Sequence, residues 1–137
     1  MAATLKLEIV TPEAKVYSDA VDMVVVPGAE GELGIMPMHI PLMTELKPGV
    51  LKISKSGQET LLAVGEGFVE VTQEGVTILT DMALAEKEID EQKVQAAMER
   101  AQARIKEPNI GNEEVAMVEA TIEKSLAQLH VKHRRRS

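Results

Sequence analysis

Between residues 4 and 80 apolar and polar side chains alternate with a period of two. Leu5, Leu7 and Ile9 stand against Lys6 and Glu8, and Val50 and Ile53, then Val69 and Val71, continue the pattern. A strand presents successive side chains to opposite faces, so this period predicts strands with one face in a core and the other toward solvent. Turn-forming residues punctuate the runs at Thr11-Pro12, Pro27-Gly28, Lys47-Pro48-Gly49, Lys55-Ser56-Gly57 and Glu74-Gly75. Short strands at that spacing predict an antiparallel β-sandwich or flattened barrel.

The period changes after Asp81. Val94, Ala97, Met98, Ala101 and Ile105 recur at three-and-four spacing, with Glu99, Arg100 and Arg104 between them, which predicts an amphipathic helix. Asp90 is placed to cap its free amides, and Ile89 to staple onto Val94. Pro108 stops that helix and Asn109-Ile110-Gly111 supplies a turn. A second helix is expected with Asn112 as its cap, Glu113 and Glu114 in its first turn, and a stripe of Val115, Val118, Ile122, Leu126 and Leu129. The two stripes predict an antiparallel helical hairpin, its arms about 26 and 31 Å long at ~1.5 Å per residue. The expected organisation is therefore a β-sandwich over residues 1–84 and a helical hairpin with a basic tail over residues 85–137.

Composition narrows what such a chain can do. The 137 residues include one Tyr, one Phe and no Trp, so the core must be aliphatic and base-stacking platforms are lacking. Without cysteine there is no disulfide framework and no thiolate metal site. The start, Met1-Ala2-Ala3-Thr4-Leu5-Lys6, lacks a basic segment followed by an apolar one, and no apolar run approaches the ~20 residues of a membrane span, so export and membrane insertion are not expected. The formal charge of −7 is uneven: residues 1–84 hold five Lys against twelve acids, whereas residues 85–137 hold ten of each sign. From Lys124 onward no acid appears, and that basic end points to an acidic partner.

Candidate chemistry is sparse. Gly28-Ala29-Glu30-Gly31-Glu32-Leu33-Gly34 lacks both dinucleotide and P-loop spacing, and its two acids repel phosphate, so it reads as a tight turn and a docking loop. His39 stands alone, and His130 and His133 have no further donors beside them for zinc. The arrangement of Ser, His and Asp offers no catalytic set, so no catalytic residue and no metal or cofactor is expected. The tail arginines are the sole basic cluster of an acidic chain, which disfavours nucleic acid as a partner.

The run Val26-Pro27-Gly28-Ala29-Glu30-Gly31-Glu32-Leu33-Gly34-Ile35-Met36-Pro37-Met38-His39-Ile40-Pro41-Leu42 resembles the signature of bacterial F-type ATP synthase epsilon subunits, and Lys47-Pro48-Gly49 and Gly65-Glu66-Gly67-Phe68-Val69-Glu70-Val71 look like later family landmarks. The resemblance covers the whole chain. It implies a ten-stranded β-sandwich followed by a C-terminal two-helix hairpin, in a non-catalytic rotor subunit that couples proton flow to ATP synthesis. The implied partners are the gamma subunit, the c-ring and the alpha-beta catalytic ring, with no homo-oligomer. The implied place is the cytoplasmic face of the bacterial plasma membrane, held there only through the complex. By motif position Glu30, Glu32, Met36 and His39 are implied to dock on the c-ring and gamma. Lys132, Arg134, Arg135 and Arg136 are implied to meet acidic residues of beta when the helices extend and restrain ATP hydrolysis. Some relatives bind ATP through Ile/Leu-Asp-x-x-Arg-Ala. Here Ile89-Asp90-Glu91-Gln92-Lys93-Val94 carries Lys for Arg and Val for Ala, so the set Asp90, Lys93, Arg100 and Arg104 implies weak or absent nucleotide binding.

Overall fold

The computed structural model describes residues 3–133. Ten strands, β1 (Leu5–Val10), β2 (Lys15–Val21), β3 (Met23–Gly28), β4 (Gly31–Ile35), β5 (Leu42–Leu46), β6 (Gly49–Lys55), β7 (Gln58–Val64), β8 (Gly67–Val71), β9 (Gly75–Thr80) and β10 (Ala83–Ala85), precede helices α1 (Glu91–Ile105) and α2 (Asn112–His133). A short 3₁₀ turn at Glu86–Glu88 joins the two parts. The strands form one sheet in the order β10-β7-β6-β3-β5-β8-β9-β1-β2, with β4 paired to β3. All pairings are antiparallel except β1 with β9.

Period-two alternation places Leu7, Ile9, Val24, Val26, Leu51, Ile53, Val69 and Ile78 on the inner face, each at most 1% exposed, so the sheet folds over on an aliphatic core. The two halves join narrowly, through the Gly28–Leu46 pairing of β3 with β5. On the other side Asp22 N–H donates to Ser54 O (2.8 Å), Ser56 N–H donates to Asp22 Oδ2 (2.9 Å), and Lys55 pairs with Asp19, drawing β2 against β6. The result is a sandwich with the character of a flattened barrel.

Two sequence expectations about the strands need correction. Pro27 and Gly28 lie in β3, paired with Glu32 and Gly31, and the turn is Ala29-Glu30. Gly31 follows at φ 120°, a conformation that favours glycine. Nor does the whole outer face meet solvent. Val50, three positions from Ile53 in β6 and so on the opposite face rather than the same one, points away from the main core with Leu61, Ala63 and Leu84, and α2 covers them across β6 and β7.

α1 starts as its sequence predicts: the Asp90 carboxylate accepts from Lys93 N–H (3.1 Å), and Ile89 and Val94 are both buried in the cluster beneath the hairpin. α2 starts one position earlier than expected. The Gly111 carbonyl accepts from Val115 N–H (2.9 Å), so Gly111 holds the capping position and Asn112 the first helical one. The expected stripe of α2 also shifts. Ser125, Ala127, Leu129 and Val131 are buried, while Leu126 is 52% exposed. A helix covered by α1 on one side and a sheet on another has a broad buried sector rather than a single stripe, and the sequence period marks only part of it.

Candidate docking surfaces and hairpin contacts

The sandwich has two unlike outer faces. On β6, β7 and β10 the outward apolar residues lie under α2, and with Ile89, Val94, Met98, Ala127, Leu129 and Val131 they form a second cluster apart from the main core. On β5, β8, β9 and β1 nothing covers the outer face among the described residues. Cross-strand register there sets Phe68 beside Leu79 and Leu79 beside Val10, while Met43 is a diagonal neighbour of Phe68. Met43, Phe68 and Leu79 are 66%, 54% and 51% exposed, so the only phenylalanine of the chain lies on its outside. The backbone beneath is tightly drawn, since a Cβ on Gly67 would stand 1.8 Å from Leu79 O. An apolar stripe crossing four strands is the kind of surface that marks a protein contact.

The four residues expected in docking divide between the two ends of β4. Glu30 and Glu32 are exposed on the β3–β4 turn and the first part of β4, whereas Met36 and His39 follow its far end. In the second loop Met38 has φ 70° and is 92% exposed, beside Met36 and Ile40 at 60% and 78%. A non-glycine residue held in that conformation with its side chain in solvent is a feature of recognition loops. His39 N–H donates to Met36 O (3.2 Å), and its Nδ1 lies 2.7 Å from Ile40 O, where the ring nitrogen must donate. This apolar loop leads directly into Met43 and the stripe, which Glu45 and Glu70 flank across the strands, so one surface is apolar with acidic edges and the other acidic. Sequence reasoning named Met36 and His39 but missed Phe68, Leu79 and Val10. Their signal was a large apolar residue at the solvent phase of the alternation.

Beside Glu32, a groove of about 550 Å³ is lined by Lys52, Glu59, Leu61 and His130, so the end of α2 lies next to the acidic turn. Three side chains tie the hairpin to its base. Lys124 pairs with Asp81 (2.6 Å), Lys132 with Glu86 (3.6 Å), and His133 with Glu91 (2.5 Å). Lys124, Gln128 and Lys132 form one i, i+4 row, and the Gln128 amide reaches Met82 Sδ (3.5 Å).

The residues expected around a nucleotide are placed along α1. Asp90 serves as the cap, Lys93 and Arg100 are exposed, and Arg104 joins the two helices through Glu107 and Glu114, with Nε donating to Glu114 Oε1 (2.7 Å). The bond to Glu114 and then that to Glu107 raise the Arg104 pKa above its ordinary value. Lys132 is half-buried, and Arg134, Arg135 and Arg136 lie outside the described residues. No helix among the described residues is long and apolar enough to cross a membrane.

Comparison with known proteins accounts for both parts of the chain. Residues 4–86 match the ATP synthase delta/epsilon chain β-sandwich domain and residues 87–132 the long α-helix domain of the same chain. The ATP synthase epsilon chain of Dehalococcoides mccartyi is 41% identical over 134 residues, covering 98% of this chain and 96% of that one. That of Laribacter hongkongensis is 38% identical over 129 residues, covering 93% and 91%. Among solved structures, a chain of the Euglena gracilis mitochondrial ATP synthase superposes with a TM-score of 0.80 at 24% identity, covering 93% of this chain and 80% of that one. A chain of the Tetrahymena thermophila central stalk and c-ring gives 0.61 at 15% identity, covering 95% and 97%. With the sandwich and the hairpin both matched and the relatives aligned nearly end to end, the chain belongs to the delta/epsilon chain family of ATP synthases.

Proposed function

We propose that this chain is a non-catalytic central-stalk subunit that couples proton-driven rotation to ATP synthesis and restrains ATP hydrolysis through its helices. The inequality of the two outer sheet faces carries this reading. The uncovered stripe of Met43, Phe68 and Leu79, continued by the Met36–Ile40 loop, suits an apolar partner surface and takes gamma. Glu30 and Glu32, exposed and acidic at the other end of β4, suit the polar loops of the c-ring. The hairpin sits on the opposite face and can leave without uncovering the gamma contact. Released, α1 and α2 end to end would reach about 55 Å at ~1.5 Å per residue, far enough to carry Lys132 and the arginines after it to acidic residues of beta. The subunit would then sit at the cytoplasmic face of the membrane, held there by its partners.

The test reconstitutes the chain with an alpha-beta-gamma complex and measures binding and ATPase activity separately. Phe68→Glu should weaken association with gamma at least tenfold, about 1.4 kcal/mol, while the isolated variant keeps its fold. Removing residues 86–137 should leave association intact and raise ATP hydrolysis. Undiminished binding of the Phe68 variant would refute the gamma face, and unchanged hydrolysis on truncation would refute restraint by the hairpin.

A further inference from the structure

The last turn of α2 meets the root of α1. Lys132 Nζ lies 3.6 Å from a Glu86 carboxylate oxygen and donates to Glu86 O (3.3 Å), and His133 Nε2 lies 2.5 Å from Glu91 Oε1. Because the helices are antiparallel, the C-terminus of α2, which favours cations, faces the N-terminus of α1, which favours anions, so both pairs agree with the backbone dipoles. Of these groups only the imidazole changes charge between pH 5 and 8. We propose that His133 and Glu91, supported by Lys132 and Glu86, form a pH-sensitive clasp that holds the hairpin closed when His133 is protonated and loosens as it loses its proton.

Acidic side chains gather where the last turn of α2 meets α1. The elements at the hairpin root carry Glu86, Glu88, Asp90 and Glu91 against Lys87 and Lys93. Of these acids Asp90 is engaged in capping α1 and the Glu88 carboxylate accepts from Ala85 N–H, which leaves Glu86 and Glu91 turned to α2. On its own helix His133 has Lys132 beside it, itself committed to Glu86. An imidazolium–carboxylate pair binds more strongly than a neutral imidazole accepting or donating a single bond. The clasp is therefore tightest on the acid side of histidine's titration and weakest above it. His130, exposed on the groove beside Glu32, Lys52 and Glu59 and one turn before the clasp, serves as the control.

The absence of cysteine makes a direct test available. Ser125, 3% exposed in α2, is replaced by Cys, and its labelling by an aromatic disulfide reagent reports hairpin opening in the isolated full chain. Rates are normalised at each pH to the same chain unfolded in urea. Between pH 8.0 and pH 5.5 the protection should rise by about two- to five-fold, the range of a partly exposed ion pair. His133→Gln and Glu91→Gln should each abolish that rise, and His130→Gln should preserve it. A parent whose protection does not change with pH, or a His133→Gln variant that keeps the full change, would overturn the clasp. Because the readout needs no partner, either result leaves the assignment to the rotor complex standing.

Discussion

Replacing Leu129 by Ala should release the hairpin while leaving the sandwich folded. Leu129 is 8% exposed and belongs to the cluster between α2, α1 and the outer face of β6 and β7, not to the main core. Truncating a buried Leu removes transfer energy and leaves a cavity, together about 2–5 kcal/mol, and partial collapse of a peripheral cluster places this site near 2–3. That corresponds to a roughly 30- to 150-fold shift toward the open hairpin at ~1.4 kcal/mol per tenfold. The three ion pairs at the hairpin base are partly solvent-accessible and contribute about 0.2–1 kcal/mol each, so they cannot restore closure. Two intrinsic probes separate the outcomes. The single tyrosine, Tyr17, packs against the sandwich core and there is no Trp, so its emission follows the sandwich, while helical ellipticity and labelling of the Ser125→Cys chain follow the hairpin. Labelling should accelerate by the stated factor with the urea midpoint of Tyr17 unchanged. Equal loss at both probes would show one cooperative core and refute the division into two clusters.

Three further outcomes are expected. The Asp19 carboxyl is held below its ordinary range by the bond from Lys55 and then by that from Ala20 N–H, so its tie of β2 to β6 contributes above the unfolded pKa and fades as pH falls below about 4. Asp19→Asn should lower the melting temperature at pH 7, with the difference from the parent shrinking as both are acidified; a difference independent of pH would contradict this. Titration calorimetry with ATP and magnesium should find binding no tighter than millimolar, about −4 kcal/mol, because Asp90 caps α1 and Arg104 is engaged by Glu107 and Glu114. A micromolar constant lost in Arg100→Ala would reverse that expectation. Converting Lys132, Arg134, Arg135 and Arg136 together to Ala should relieve restraint of hydrolysis in the reconstituted complex without detaching the subunit, and moderate salt should mimic part of the effect; full restraint by the quadruple variant would rule out a charge mechanism.

How far the sequence reaches depends on whether a residue's role is local. The strand alternation, the Asp90 cap and the Pro108 stop each rest on a few neighbours, and all were readable. The fate of the outward-facing residues was not. Leu61 and Phe68 occupy equivalent phases of their strands, yet α2 covers one and the other is left uncovered, a difference made by topology. Leu126 and Leu129 differ for the same reason, since α2 has two covered sides. The family motif was recognisable as a run of residues, but its division into an acidic end and an apolar end follows from the length of β4. Similarly, the partners of Lys124, Lys132 and His133 lie more than forty positions away in sequence, so nothing near them announced the ties.

Separate clusters on opposite sides of one sheet have a mechanical consequence. The main core is closed by the strands alone, so the hairpin can open at the expense of the second cluster and a few exposed ion pairs, and the stripe of Met43, Phe68 and Leu79 is unaffected. An anchor that stays in place while an arm moves is what the proposed function requires. Lys132 sharpens the choice between states, because in the closed form it is already committed to Glu86. Any acidic partner surface that recruits it must first compete with that carboxylate. In the proposed extended state Glu86 and Glu91 would be exchanged for such a surface, so the ion-pair part of the balance, added to that of the apolar cluster, is a difference between two sets of similar pairs. A difference of that kind is small even when each term is not, so a change of one charge at the proposed clasp would bear on it directly.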